Sequence, residues 1–183
     1  MRACCYGALL AGAFAIFASA QEKGIEPEWD IRPVLKDIAA RSQGMLPVLE
    51  QIDTAAMTKN GAPDTYLSQL NESKVQAKAL ATEALALANS PDKLSADLLT
   101  FFRMQSLERT VLSIEEGIRK YWNPAVADLL ASEMAENSAN RDRFQHYILD
   151  LAAEKEQEYA IMDREAQRCR GDLAKQPPKT EKH

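Results

Sequence analysis

The chain has 183 residues, 27 acidic against 22 basic side chains, a formal charge of −5 and no block of consecutive Lys or Arg. That balance argues against nucleic acid and anionic lipid surfaces as partners. The length suits one domain with a core of its own.

The first twenty residues, MRACCYGALLAGAFAIFASA, carry one positive charge at Arg2, an apolar stretch from Tyr6 to Ala18, and then Ala18-Ser19-Ala20. A basic start, a short apolar middle and a small-x-small end are the layout of a secretory signal peptide. The apolar run falls short of the roughly 20 residues a membrane helix needs. The expectation is therefore cleavage after Ala20 and export, either to a periplasm or as a secreted protein, with no membrane span in the mature chain. Removing residues 1–20 takes away one Arg, so the charge of −5 becomes −6, and takes away Cys4 and Cys5, leaving Cys169 alone. Such a chain has no internal disulfide to form and must be held by packing.

Residues 21–29 read as an N-terminal arm, and residues 30–172 as a helical domain. Gly61 with Pro63, then Pro91, then Pro124 cut that domain into four long segments, about 30–59, 64–89, 91–122 and 124–170. Between the cuts Ala, Leu, Glu, Lys and Gln dominate and β-branched residues are few, which favours helix. In the first segment Ile31, Leu35, Ile38, Ser42, Met45, Leu49, Ile52 and Ala56 recur at alternating steps of four and three. Asp30 is placed to cap this helix, and Pro47 inside it removes a hydrogen bond to the Gln43 carbonyl, which predicts a bend.

The second segment repeats the pattern with Tyr66, Leu70, Ser73, Ala77, Leu80, Ala84 and Leu87, and Asp64 stands ready to cap it. The third gives Met104, Leu107, Val111, Ile114, Ile118 and Tyr121, opened by Ser90-Pro91. Near its start Leu98, Leu99, Phe101 and Phe102 make it apolar nearly all round, which predicts burial there. These heptad-like seams, as in a coiled coil, joined by short connections predict an all-α, up-down-up-down four-helix bundle. Tyr66, Phe101 and Phe102 are the candidate lining of a cavity between helices.

The fourth segment, after Asn123-Pro124, keeps one phase through Val126, Leu130, Asn137, Phe144, Ile148, Leu151, Met162 and Ala166. It is too long for its neighbours, so it either breaks near residues 135–142 or overhangs the bundle. An overhang predicts that Trp29 packs against Tyr159 or Met162. His146, Asp150 and Glu154 fall on its outer flank at steps of four, a weak surface metal candidate whose plainer reading is a solvated face. Bundle metal sites place Glu-x-x-His inward, and the residue three before His146 is Arg143. There is no Cys-x-x-Cys-His for haem attachment. Lys155 falls between Leu151 and Tyr159 on the apolar side, where it snorkels or meets a carboxylate of a facing helix. Cys169 between Arg168 and Arg170 is a candidate reactive thiol and the candidate link of a disulfide dimer. Gly171 reads as the helix stop, and residues 173–183 as a disordered tail.

No Gly-rich phosphate loop, nucleophile elbow or inward His is present in the pattern, so no catalytic residue and no cofactor is assigned. The functional expectation is a helical-bundle protein without catalysis that works through protein–protein contacts, as a binding, scaffold or chaperone-like protein, with another protein or its own copy as partner. Lys155, Tyr159, Met162 and Cys169 are the candidate contact residues. The alternative is a carrier of a small apolar ligand or haem within the bundle. A second alternative is a carboxylate-based enzyme.

Overall fold

The computed structural model describes residues 30–175. The expected signal peptide, the arm with Trp29, and the chain from residue 176 lie outside the described residues. Among the described residues five helices follow one another: α1 (Arg32–Glu50), α2 (Thr54–Lys59), α3 (Asp64–Leu87), α4 (Leu94–Tyr121) and α5 (Pro124–Lys175). Helix α1 packs on α3, α3 on α4, α4 on α5 and α5 back on α1, closing a four-helix ring, while α2 touches α4. The all-α bundle expected from the heptad pattern is the architecture found.

The seams face inward as their spacing requires. Leu35, Ile38 and Leu49 of α1, Leu70, Ala77 and Leu80 of α3, and Met104, Val111 and Ile114 of α4 are buried. On α5, Ala127, Leu130, Phe144, Ile148 and Leu151 complete the core. Full burial of one such aliphatic side chain stabilises by about 1.5–3 kcal/mol, so this core dominates the fold's stability.

Polar contacts fix how the helices slide past one another. Arg41 of α1 donates to its own Asp37 at 2.8 Å and to Glu136 of α5 at 2.6 Å. Asn140 of α5 donates to Asp37 at 2.6 Å. Arg141 reaches Glu108 of α4 at 3.2 Å, and Arg103 of α4 meets Glu83 of α3 at 2.9 Å. Half-exposed pairs of this kind contribute about 0–1 kcal/mol each, and their weight lies in register.

Several boundaries differ from the sequence reading. The first segment is two helices, because Asp53 turns extended and its carboxylate accepts from the Ala56 amide at 3.0 Å, starting α2 anew. Pro47 stands inside α1, which continues to Glu50. Asp30 accepts from the Arg32 amide at 3.0 Å, but Ile31 occupies the cap position, and Asp64 is already the first helical residue of α3. The third helix begins at Leu94 rather than Pro91, since residues 90–93 form a turn whose Pro91 carbonyl accepts from Tyr147 Oη at 2.5 Å. At the next junction Asn123 does accept from the Ala125 amide, at 3.0 Å, with Pro124 opening α5.

Helix α5 is unbroken through residues 135–142. The inward Asn137 and Asn140 are buried there, and the cross-links from Asp37, Arg41 and Glu108 hold the polar stretch in the helix. At 1.5 Å per residue α5 is about 78 Å long, against about 42 Å for α4. It also runs through Gly171 to Lys175, so Gly171 is not its stop.

Candidate functional site

Tracing the ends shows where α5 projects. Tyr66, Asn60, Tyr121 and the start of α5 share one end of the bundle: Tyr66 lies against Tyr121 with ring centroids 5.9 Å apart, and Asn60 donates to the Tyr121 carbonyl at 2.8 Å. The start of α1, the α3–α4 turn and Tyr147 share the other end. They line a groove of about 360 Å³ through Asp30, Arg32, Asn89, Pro91, Asp92 and Tyr147. Beyond this second end, every residue of α5 from Ala153 to Lys175 is exposed.

The projection is amphipathic and, among the described residues, unpartnered. Tyr159 is 75% exposed, Met162 66% and Leu173 66%, and Cys169 is a free, exposed thiol. With Ala166 they recur at steps of three, four, three and four. At about 100° per residue this stripe lies on the side of α5 that faces the core lower down, so the core face continues past the end of the core. Lys155 donates to Glu158 at 3.1 Å on the same helix. No facing helix stands at that level among the described residues, so of the two alternatives for Lys155 the cross-helix carboxylate is not found there. The Lys155 pKa is raised chiefly by the Glu158 carboxylate, with lesser contributions from Glu154 and from Asp92, which lines the groove.

Under the groove lies a residue that periodicity did not single out. Asp97, in the first turn of α4, is 0% exposed, and neither carboxylate oxygen has a hydrogen-bond partner among the described residues. Burial, then the charge of Asp92, pushes its pKa up to about 7. Burial also raises the neighbouring Tyr147 phenol, with Asp97 and Asp92 adding to it. The available signal was positional: Asp97 lies three residues before Thr100 and four before Phe101, both buried on the core side of α4.

The expected cavity lining does not assemble. Phe101 is buried edge-on to Phe144, 6.1 Å between centroids, whereas Phe102 turns outward and is 58% exposed. Tyr66 sits at the opposite end, over Gly117. Consecutive helical residues diverge by about 100°, so Phe101 and Phe102 could not both face the core. Leu98 and Leu99 are exposed for the same reason, which corrects the expected all-round burial.

His146 is exposed, and its Nδ1 donates to the Asp142 carbonyl at 2.7 Å. Asp150 and Glu154 are exposed too, and among the described residues no group of three His, Cys, Asp or Glu side chains is placed to hold a metal ion. The described helices include none long and apolar enough to cross a membrane.

These features define a helical bundle whose last helix projects past the other described helices as an amphipathic rod beside a small polar groove. No family model, curated protein or solved structure matches the chain.

Proposed function

We propose that this is an exported helical-bundle protein that acts through protein–protein contacts, made by the projecting end of α5. The observation that carries the reading is the exposure of Tyr159, Met162, Cys169 and Leu173 on a helix that packs on no other described element from Ala153 onward. A lone helix of this length is marginal in water, and its apolar face gains stability only against a second surface. Contiguous exposed apolar area of this kind marks interaction sites. Export is supported by the layout of residues 1–20.

Asp97 gives the enzyme alternative less support than its raised pKa would imply. General acid–base work requires a group within reach of substrate, and both Asp97 oxygens are closed off from solvent.

Deleting residues 153–183 tests the proposal. The truncated protein keeps the helical signal and cooperative melting of the bundle but loses the proteins that co-purify with the full chain. A truncation that keeps its partners sinks the reading.

A further inference from the structure

The projection has a charge pattern as well as an apolar stripe. Tyr159, Met162, Ala166, Cys169 and Leu173 occupy the alternating a and d positions of a heptad seam. The positions flanking that seam, e and g, are Glu156, Glu158, Asp163, Glu165, Arg170 and Asp172. All but Arg170 are acidic. The other cations of the projection, Arg164, Arg168 and Lys175, lie on its back, about 140–180° from the stripe, apart from Lys155 at its base.

Flanking charges set partner choice and orientation in coiled-coil pairing. Two copies aligned in parallel would set Glu158 across from Asp163 of the second copy and Glu165 across from its Arg170, one repulsive and one attractive pair on each side. An antiparallel pair in which Tyr159 meets Cys169 and Met162 meets Ala166 would set Asp163 against Asp163 and Glu165 against Glu165. The antiparallel pair is repulsive on balance, and the parallel pair gains nothing net from its flanks, so the charge pattern gives self-pairing no advantage over a partner with basic flanks. At the groove below the stripe Asp92 adds another acid, while Asp30 is already paired with Arg32 at 3.2 Å.

We propose, taking the projection to be the contact element, that the notch between the α5 stripe and the α1/α3–α4 end of the bundle seats an amphipathic helix of another protein whose apolar face is flanked by Lys and Arg. The stripe supplies the apolar wall, and the acidic flanks with Asp92 select the sign of the partner's charge.

The test uses the chain from residue 21 and two synthetic helical peptides of roughly three heptads, the shortest length that forms a stable seam. Both carry Leu at a and d; one has Lys at e and g, the other Glu. Binding is read by fluorescence anisotropy at low and high salt. The Lys peptide binds at least tenfold more tightly than the Glu peptide, and its affinity falls as salt rises. Changing Glu158, Asp163 and Glu165 together to Lys reverses the preference, and Met162→Ser with Tyr159→Ser weakens the Lys peptide at least tenfold. These side chains make no tertiary contact with the described bundle, so the bundle folds in every variant.

Equal binding of both peptides, or a preference that the triple Lys variant leaves unchanged, overturns the basic-helix proposal while leaving the contact reading standing. A dimer in sedimentation that Met162→Ser dissolves shows a second copy on the stripe and also overturns it. If deleting residues 21–29 raises the affinity for both peptides alike, the chain's own arm covers the notch and the proposal falls. If neither peptide binds and deletion of residues 153–183 leaves the co-purifying proteins unchanged, both readings fall together.

Discussion

The ring of Tyr66 lies so close over Gly117 that a Cβ built on the glycine would come within 2.6 Å of Tyr66 Cδ1 and 2.9 Å of Cγ. The absence of a side chain at Gly117 is what lets the start of α3 close against the end of α4. We expect Gly117→Ala to destabilise the bundle by about 1–3 kcal/mol, because the ring must move bodily. That outweighs the roughly 1 kcal/mol that Ala gains over Gly inside a helix. Gly44 on α1 has open space around it. There Gly44→Ala stabilises by up to about 1 kcal/mol. Urea unfolding of the two variants reads the opposite signs directly.

Asp97 makes stability depend on pH with a defined sign. Its folded pKa of about 7 lies above the ordinary carboxylate value, so the folded state holds the proton more tightly than the unfolded chain. Its contribution to stability is greatest below the unfolded pKa, falls as pH rises from about 4 to about 7, and is flat above that. The loss is at most about 4 kcal/mol, because each tenfold difference in proton affinity between the two states is worth about 1.4 kcal/mol. Asp97→Asn removes this slope. A variant with the parent slope between pH 4 and 7 would show that another group is responsible.

The Asp37 carboxyl works in the opposite sense. Hydrogen bonds from Arg41 first, and then from Asn140, hold it below the usual carboxylate range. Its contribution is present above the unfolded pKa and is lost as pH falls through the folded value. Asn140→Ala removes one of those bonds, raises the Asp37 pKa and costs about 1–2 kcal/mol at neutral pH. NMR titration of the Asp37 carboxyl checks the shift, and urea unfolding checks the cost.

The projection and the bundle differ in local stability. Amides of α5 between Leu130 and Leu151 belong to a helix packed on its neighbours, while those from Ala153 onward belong to a stretch exposed on every side. We expect strong hydrogen-exchange protection in the first stretch and near-complete loss of it in the second for the isolated chain. Cys169 in the native protein should then react with a thiol reagent at close to the rate seen in denaturant. A protected projection or a sluggish Cys169 would mean that something already covers the stripe.

Composition and period determined much of this molecule without any coordinates. Ala- and Leu-rich segments with alternating steps of three and four have one stable arrangement open to them, helices packed along shallow seams. Most residues named from that spacing on α1, α3 and α4, such as Leu35, Leu80 and Ile114, are buried, and Tyr66 and Tyr121 at the bundle end are half-buried. Pro124 and Gly61 marked real junctions because each breaks the local helical geometry.

What the period could not say is what stands opposite a face, or how far along a helix a neighbour extends. Phe102 and Tyr66 read as companions of Phe101, yet one turned to solvent and the other lay at the far end of the bundle. Nothing in the spacing singled out Asp97, and only the folded chain shows it fully buried with both carboxylate oxygens unpartnered among the described residues. Along α5 one apolar phase runs unbroken, and only the end of the bundle at Leu151 divides it into a core face and a bare one. The sequence determines which side of a helix is apolar, because that is set by rotation per residue. The lengths of the other helices decide whether that side is buried, and this is a property of the packed molecule.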